Sequence, residues 1–368
     1  MRLTYISWGY EHDAPIIRAF QKLGVEIQKT EINMDELTDY EKVEQNLKDA
    51  VEEIVFSVNF HSTVSEFCQK KMIPYCTWVL QLPNYDLYTE NVKNACNYIG
   101  ICDSYLVEKM WNVGVEKVFF LPDAIEKVTE EKTDPKYRGV CFISKQPESR
   151  LQTEGMSLYN KGYLEAFLHA QRVLLGDYIL ENGLIDRVQQ AAFQANPTAE
   201  NILPEFGKLY LADQYLAPTC TILQQNIFMQ NYDSVMTIYS NGEFQNCKCE
   251  KYPYLQNEEK EQIYREREFT VVMAPHILHN AIPRQMLEVI AAGGFPLCAM
   301  QKDYSYFFKE NENIACFHNI SEFQDLLVRY GNNVEERNRL LENTVNTIQN
   351  SHTYQNRIEF ILDTWSKL

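Results

Sequence analysis

No window of this 368-residue chain is apolar for long enough to span a bilayer, and no long amphipathic stretch carries a Lys/Arg-rich polar face. No integral membrane segment is expected, and anionic membrane surfaces are poor partners. Basic charge is scarce as well: 34 Lys and Arg stand against 51 Asp and Glu, a formal net charge of −17. Nucleic-acid binding needs a basic face for phosphates, so no nucleic-acid partner is expected. The ten cysteines are scattered, and several lie in apolar runs where they behave as small hydrophobes. Only Cys247-Lys248-Cys249 has the spacing of a metal or redox pair, and no second Cys or His pair completes it, which favours two loop thiols. The first eight residues, Met1 to Trp8, place polar residues where a signal peptide needs an unbroken apolar run. A reducing, cytoplasmic location is the expectation. Internal repeats and low-complexity tracts are missing too.

What is present is a recurring series of short apolar runs. They fall at Leu3–Trp8, Glu53–Asn59, Pro74–Leu80, Asn97–Cys102 and Lys117–Leu121, separated for the most part by helix-like segments, which predicts a parallel-sheet α/β domain over residues 1–125. The charged stretch Glu126 to Arg138 interrupts the series as a linker does. A second series follows at Gly139–Ser144, Asp233–Ser240, Phe269–Pro275, Phe295–Ala299 and Asn313–Phe317, which predicts a second α/β domain over 139–345. Two Rossmann-like halves would open a ligand cleft at their strand C-termini. The stretch of about 162–231 has helical periodicity and is too long for one crossover helix. It predicts a helical insertion that offers a lid, an acceptor platform or a homodimer surface. Residues 346–368 complete a C-terminal helical run.

The most informative stretch runs from His276 to Leu297, HILHNAIPRQMLEVIAAGGFPL. The apolar run before it reads as a buried strand, and Pro283 suits the first turn of a helix, where its missing N–H is harmless. Ile282 as N-cap has no side-chain oxygen, so the amides of Arg284, Gln285 and Met286 would lack a local acceptor. Free amides at the positive end of a helix dipole suit a diphosphate. Glu288 lies beyond that turn, where a carboxylate can accept from two ribose hydroxyls. Gly293-Gly294 then closes the helix. The same pattern also describes an ordinary helix between two parallel strands.

The segment Ile282 to Phe295, IPRQMLEVIAAGGF, resembles the C-terminal motif I-P-x-R-x-x-[DE]-x-x-x-x-G-G-F of the CgeB-like (spore-maturation) glycosyltransferases, with Arg284 and Gln285 in exchanged order. Ile54–Phe60, Ser65–Lys70, Pro74–Trp78, Asn97–Ile99 and Val118–Pro122 are similar to successive blocks of the N-terminal domain of the same enzymes, so the resemblance covers nearly the whole chain. It implies a GT-B fold, two Rossmann-like domains with a nucleotide-sugar in the C-terminal one and an acceptor toward the N-terminal one. It also implies a C-terminal helix, 346–368, that returns to the N-terminal lobe. The implied activity is sugar transfer from a UDP- or dTDP-linked donor to a soluble glycan, small-molecule or protein acceptor. Such enzymes typically need no metal, and the chain has no Asp-x-Asp with which to hold one, so no cofactor and no metal are expected.

On that resemblance the diphosphate falls to Arg284 and to Lys145, in the loop after Gly139–Ser144, with Arg150 and Lys161 as second choices; solvated surface roles are the alternative for the lysines. Glu288 matches the second of two glutamates that retaining GT-B enzymes place eight residues apart, and Asn280 occupies the first position. His276 and His279 flank it in a loop expected to line the donor site. An inverting reaction would need a base from the N-terminal half: His61, or else His12 and Asp13. Gln81 stands where relatives often carry an aspartate before the proline. The departures at Gln81, Asn280 and Arg284/Gln285 motivate a second reading, a catalytically inactive protein that binds a nucleotide-sugar or a partner protein. A two-lobed periplasmic-type binding protein is a third reading, and it requires export.

Overall fold

The computed structural model describes residues 1–48, 53–129, 135–175, 177–184, 201–232, 236–244, 246–310 and 312–365. The chain forms two compact units. One comprises Met1–Glu126, Thr198–Tyr210 and His352–Leu368, the other Lys127–Pro197 and Leu211–Ser351.

The first unit holds a six-stranded parallel sheet built from β1 (Arg2–Ser7), β2 (Glu26–Glu31), β3 (Ile54–Val58), β4 (Tyr75–Val79), β5 (Asn97–Ile101) and β6 (Val118–Phe120), in the order β2-β1-β3-β4-β5-β6. β4 and β5 are buried along their whole length, as strands covered by helices on both faces must be. The strand order reverses between the parallel neighbours β1 and β3, so the ligand crevice expected of such a sheet lies outside their carboxyl ends. The last helix, Tyr354–Trp365, belongs to this unit. Its Tyr354, Ile358, Ile361 and Trp365 join Tyr5, Phe20, Phe56 and Trp78 in one apolar core. Arg357 fixes its start, donating from Nε to the Pro122 carbonyl at 2.8 Å and from a terminal nitrogen to His352 Nδ1 at 2.6 Å.

The second unit holds β7 (Tyr137–Ser144), β8 (Met236–Ser240), β9 (Cys249–Tyr252), β10 (Arg267–Val272), β11 (Pro296–Ala299) and β12 (Cys316–Phe317), all parallel in the order β12-β11-β10-β7-β8-β9. Relabelled within the unit this is the dinucleotide-binding order 3-2-1-4-5-6, whose switch point lies between β7 and β10. A register shift lies between Arg267 and Phe269, where Glu268 turns inward. Its carboxylate accepts from Arg337 at 2.7 Å and from the Gly139 amide at 3.1 Å, so the buried charge is paired.

The stretch of about 162–231 does not stay in one unit. Helices Leu158–Val173 and Ala217–Asn231 lie in the second unit, joined to a π-helical turn at Ala212–Leu216. Residues Thr198–Tyr210 group instead with the first, because Leu203 donates its amide to the Tyr88 carbonyl at 2.8 Å and Phe206 stacks on Tyr88 with ring centroids 5.0 Å apart. Residues 185–200 of the expected insertion, 130–134 of the expected linker, 233–235 of the strand expected from Asp233, and 366–368 at the end of the last run lie outside the described residues.

Candidate functional site

In the second unit the site is built around the switch point. β10 ends at Val272, and the loop Met273 to Pro283 leads into helix Arg284–Ala291. The cap falls one residue later than expected: Pro283, in an extended conformation, is the N-cap, and no side chain caps the helix. Met286 does not keep a free amide, since it donates to the Pro283 carbonyl at 3.0 Å. Among the described residues, the amide of Gln285 is the one that the first turn leaves to a ligand.

The exchanged order of Arg284 and Gln285 has a geometric outcome. Gln285 turns onto the sheet, donating from Nε2 to the Ile143 carbonyl in β7 at 2.8 Å and to the Tyr264 hydroxyl at 3.3 Å. Arg284 stays on the partly open side and pairs through Nε with Glu288 at 3.3 Å. The side chain of Gln285 is therefore a tether across the switch point, and the charged group beside it is Arg284. Lys145 follows the end of β7 and is exposed. Beside it Ser144, Gln146 and Gln225 form a polar cluster, with Gln225 Oε1 accepting from both, at 3.2 and 3.3 Å. Arg150 and Lys161 are exposed farther along the same connection.

Gly293 and Gly294 lie at the other end of the helix from its first turn. Gly293 takes φ +82, the left-handed conformation that ends a helix, and a Cβ on Gly294 would come within 2.4 Å of the Tyr264 carbonyl oxygen. Their requirement is set by helix termination and close backbone packing.

The loop residues expected to line the donor site are turned inward. His276, His279 and Asn280 are all buried. His279 Nε2 lies 2.8 Å from Asp213 Oδ1, which also accepts from the Tyr178 hydroxyl at 3.1 Å, and the Tyr178 and His279 rings meet edge to face at 4.2 Å. Asp213 comes from the π-helical turn, a local irregularity that often marks a functional position. Burial, reinforced by His279, lowers His276 to about 4. With Gln224 and Asp177 these histidines border a cavity of about 20 Å³, space for about one water.

In the first unit the three candidates for a base collect at the crevice between β1 and β3. Trp8 crosses it, donating from Nε1 to the Val58 carbonyl at 2.8 Å. Its ring packs 5.5 Å from Tyr10 and 6.5 Å from His61, and Tyr10 in turn lies 5.3 Å from His12. Asp13 is committed inside: its two oxygens accept from the Tyr5 hydroxyl at 2.7 Å and Ser7 Oγ at 2.6 Å. It holds the end of β1 and leaves no lone carboxylate for a substrate. His12 pairs with Glu11 at 3.2 Å. His61, only 4% exposed, is the N-cap of helix Ser62–Lys71 and is lowered to about 4 by burial, partly offset by the Val58 carbonyl. Its Nε2 has no hydrogen-bond partner among the described residues. Gln81 is not a base but a brace: Asn59, held at φ 63, donates to Gln81 Oε1 at 3.1 Å and accepts the Leu80 and Gln81 amides at 3.0 Å.

Residues 223–363 match the family described as glycosyl transferase-like. Among solved structures, sucrose-phosphate synthase from Thermosynechococcus elongatus superposes with a TM-score of 0.52 at 8% identity, over 100% of this chain and 98% of that one. The Anabaena protein HepE in complex with UDP gives 0.51 at 7% identity over the full length of both chains. An α-glucosyltransferase in complex with UDP and DNA gives 0.52 at 11% identity, over 99% and 98%. The chain carries the GT-B glycosyltransferase fold. No curated protein matches it by sequence. Within this GT-B fold no helix among the described residues is long and apolar enough to cross a membrane. Sequence reasoning did not single out Asp213, Gln225 or Trp8 of the GT-B frame, since each acts through partners tens of residues away and carries no local signature.

Proposed function

We propose that the protein transfers a sugar from a nucleotide-diphosphate donor, UDP- or dTDP-linked, to a soluble acceptor without a metal ion, as the CgeB-like resemblance implies. The observation that carries this is the switch point of the second sheet: an uncapped helix start, with Arg284 and Glu288 on its partly open face and Lys145 at the neighbouring strand end. The Gln285 amide and the Arg284 and Lys145 charges would offset the diphosphate. Glu288 would take the ribose hydroxyls, exchanging its ion pair with Arg284 for two hydrogen bonds as Arg284 moves to phosphate. In the first unit His61 is the base we retain, because its ring is neutral above about pH 4 and Nε2 is uncommitted. For the acceptor hydroxyl to reach it the surrounding side chains must move.

A panel of nucleotide-sugars screened for thermal stabilisation, followed by turnover of the best binder, tests this reading. Stabilisation by UDP- or dTDP-sugars with turnover in EDTA supports it. Binding without turnover would move the protein to the second reading, a catalytically inactive nucleotide-sugar binder, which the mutual pairing of Arg284 and Glu288 favours. No stabilisation by any nucleotide or nucleotide-sugar overturns both.

A further inference from the structure

A separate cavity of about 650 Å³ opens within the first unit, bordered by the loops that follow β2, β3 and β4 and by residues 201–204. One side is polar. Ser62, Asp86, Thr89 and Asn91 form a braced set: the Ser62 amide donates to Asp86 Oδ2 at 3.1 Å, Asn91 Nδ2 donates to Ser62 Oγ at 2.8 Å, and Thr89 Oγ1 donates to the Asp86 carbonyl at 2.8 Å. The other side includes the apolar Leu37, Ile202 and Pro204. The lining contains no Lys, Arg or His, and its charged members, Asp86 and Glu90, are both acidic.

Asp86 is the unexplained group. Oδ2 is occupied by the Ser62 amide, whereas Oδ1 takes no hydrogen bond from a described residue. Burial without a cation beside it holds its carboxyl above the usual range. A carboxylate in such a place is stabilised by a ligand that brings its own hydrogen-bond donor. The charged groups of the lining, both acidic, repel an anionic ligand. A sugar ring supplies both features, hydroxyl donors at its edge and a C–H face for apolar side chains.

We propose that this cavity seats an uncharged sugar ring, with Asp86 Oδ1 accepting from a ring hydroxyl and Leu37, Ile202 and Pro204 against its C–H face. The ring's role as part of the acceptor rests on the transferase reading above; its binding does not. The proposal assigns this chain a neutral, hydroxyl-rich acceptor and excludes phosphorylated or nucleic-acid acceptors at this position.

Saturation-transfer NMR on the full chain, with no nucleotide-sugar added, tests it. The probes are maltotriose and chitotriose as neutral saccharides and glucose 6-phosphate as the anionic one, at equal millimolar concentrations. Saturation of a neutral probe, with little from glucose 6-phosphate, is expected. Asp86→Asn keeps an oxygen for the Ser62 amide but removes the charge, and it should weaken saccharide binding by about tenfold. Ile202→Trp intrudes on the apolar side of the cavity without touching the Asp86 bonds and should weaken the signal by about tenfold. UDP affinity by calorimetry should stay at the wild-type value in both variants. Absence of a saccharide signal, an equal signal from glucose 6-phosphate, or wild-type binding in both variants would each overturn the proposal. Should the wild type bind the saccharide through Asp86 but bind no nucleotide, the cavity assignment stands and the transferase reading falls.

Discussion

Gln285 Nε2 lies 2.8 Å from the carbonyl oxygen of Ile143, so one side chain from the first turn of a helix closes onto the neighbouring strand across the switch point. This bond fixes how the first turn of the helix sits against the sheet. Gln285→Ala removes it and leaves the Ile143 carbonyl without that donor, at a stability cost of about 1–3 kcal/mol. A lower melting temperature is expected, together with a UDP affinity reduced by about fivefold to tenfold, because the first turn loses its fixed position. Thermal denaturation and calorimetry measure the two. A variant that loses stability but binds UDP with unchanged affinity would remove Gln285 from any role in positioning the donor.

Glu288 makes an opposite kind of prediction, since its expected contact is to ribose and not to the transferred sugar. Glu288→Ala should weaken UDP and the intact UDP-sugar by the same factor, the loss of a charge-assisted hydrogen-bond pair worth about 1.5–3 kcal/mol. Its removal also frees Arg284 from a pair at 3.3 Å, which offsets part of that loss through phosphate. Calorimetry on both ligands decides. Unchanged UDP affinity would sink the ribose assignment.

Much of the frame was legible because parallel strands buried on both faces leave apolar runs, and among the described residues ten of the twelve strands coincide with such runs. The two that left none are β2, with the sequence EIQKTE, and β9, CEKY. Both are edge strands, exposed along much of their length, so no burial pattern was written into them. The strand expected over Asn313–Phe317 shrinks to Cys316–Phe317, a buried edge strand that pairs with β11 over two residues only. The helix expected after the His276 loop was legible, and it runs Arg284–Ala291. What a sequence does not encode locally is where a polar side chain turns: Gln285 to the sheet, His279 to Asp213, Asp13 to Tyr5 and Ser7.

Metal independence is checked directly. If the helix start and the two basic side chains offset the diphosphate as proposed, turnover should persist in excess EDTA and gain little from added magnesium or manganese. Strict dependence on a divalent cation contradicts the proposal and would require carboxylates or substrate oxygens to hold the ion.

Acid stability follows from the buried histidines. Burial lowers His61 and His276 to about 4, and burial together with Arg357 lowers His352 to about 3. In the unfolded chain each titrates near 6.5, so between about pH 6.5 and these values the unfolded state binds more protons. Their contribution is full above about pH 6.5 and is lost progressively as pH falls toward 4 to 3, on the order of a few kcal/mol for each histidine. The melting temperature should therefore drop over this window. His352→Gln should start less stable, having lost the Arg357 partner, but should show a shallower fall. An identical slope would mean that His352 is not buried neutral.

His61 gives the sharpest test of chemistry. A base must be neutral to accept a proton, and a ring lowered to about 4 is neutral throughout the physiological range. If His61 takes the acceptor's proton, the rate should stay flat from pH 8 down to about pH 5 and fall only below it, unlike an ordinary histidine with its limb near 6.5. His61→Ala should lower turnover by about 10²–10⁴ while UDP affinity holds, because the base acts on the acceptor in the transition state. Since His61 also begins helix Ser62–Lys71, a loss of fold is the competing outcome. His61→Asn separates the two: asparagine can cap the helix but cannot act as a base. A folded His61→Asn with near-normal turnover would return this histidine to the scaffold and move the search for a base to His12.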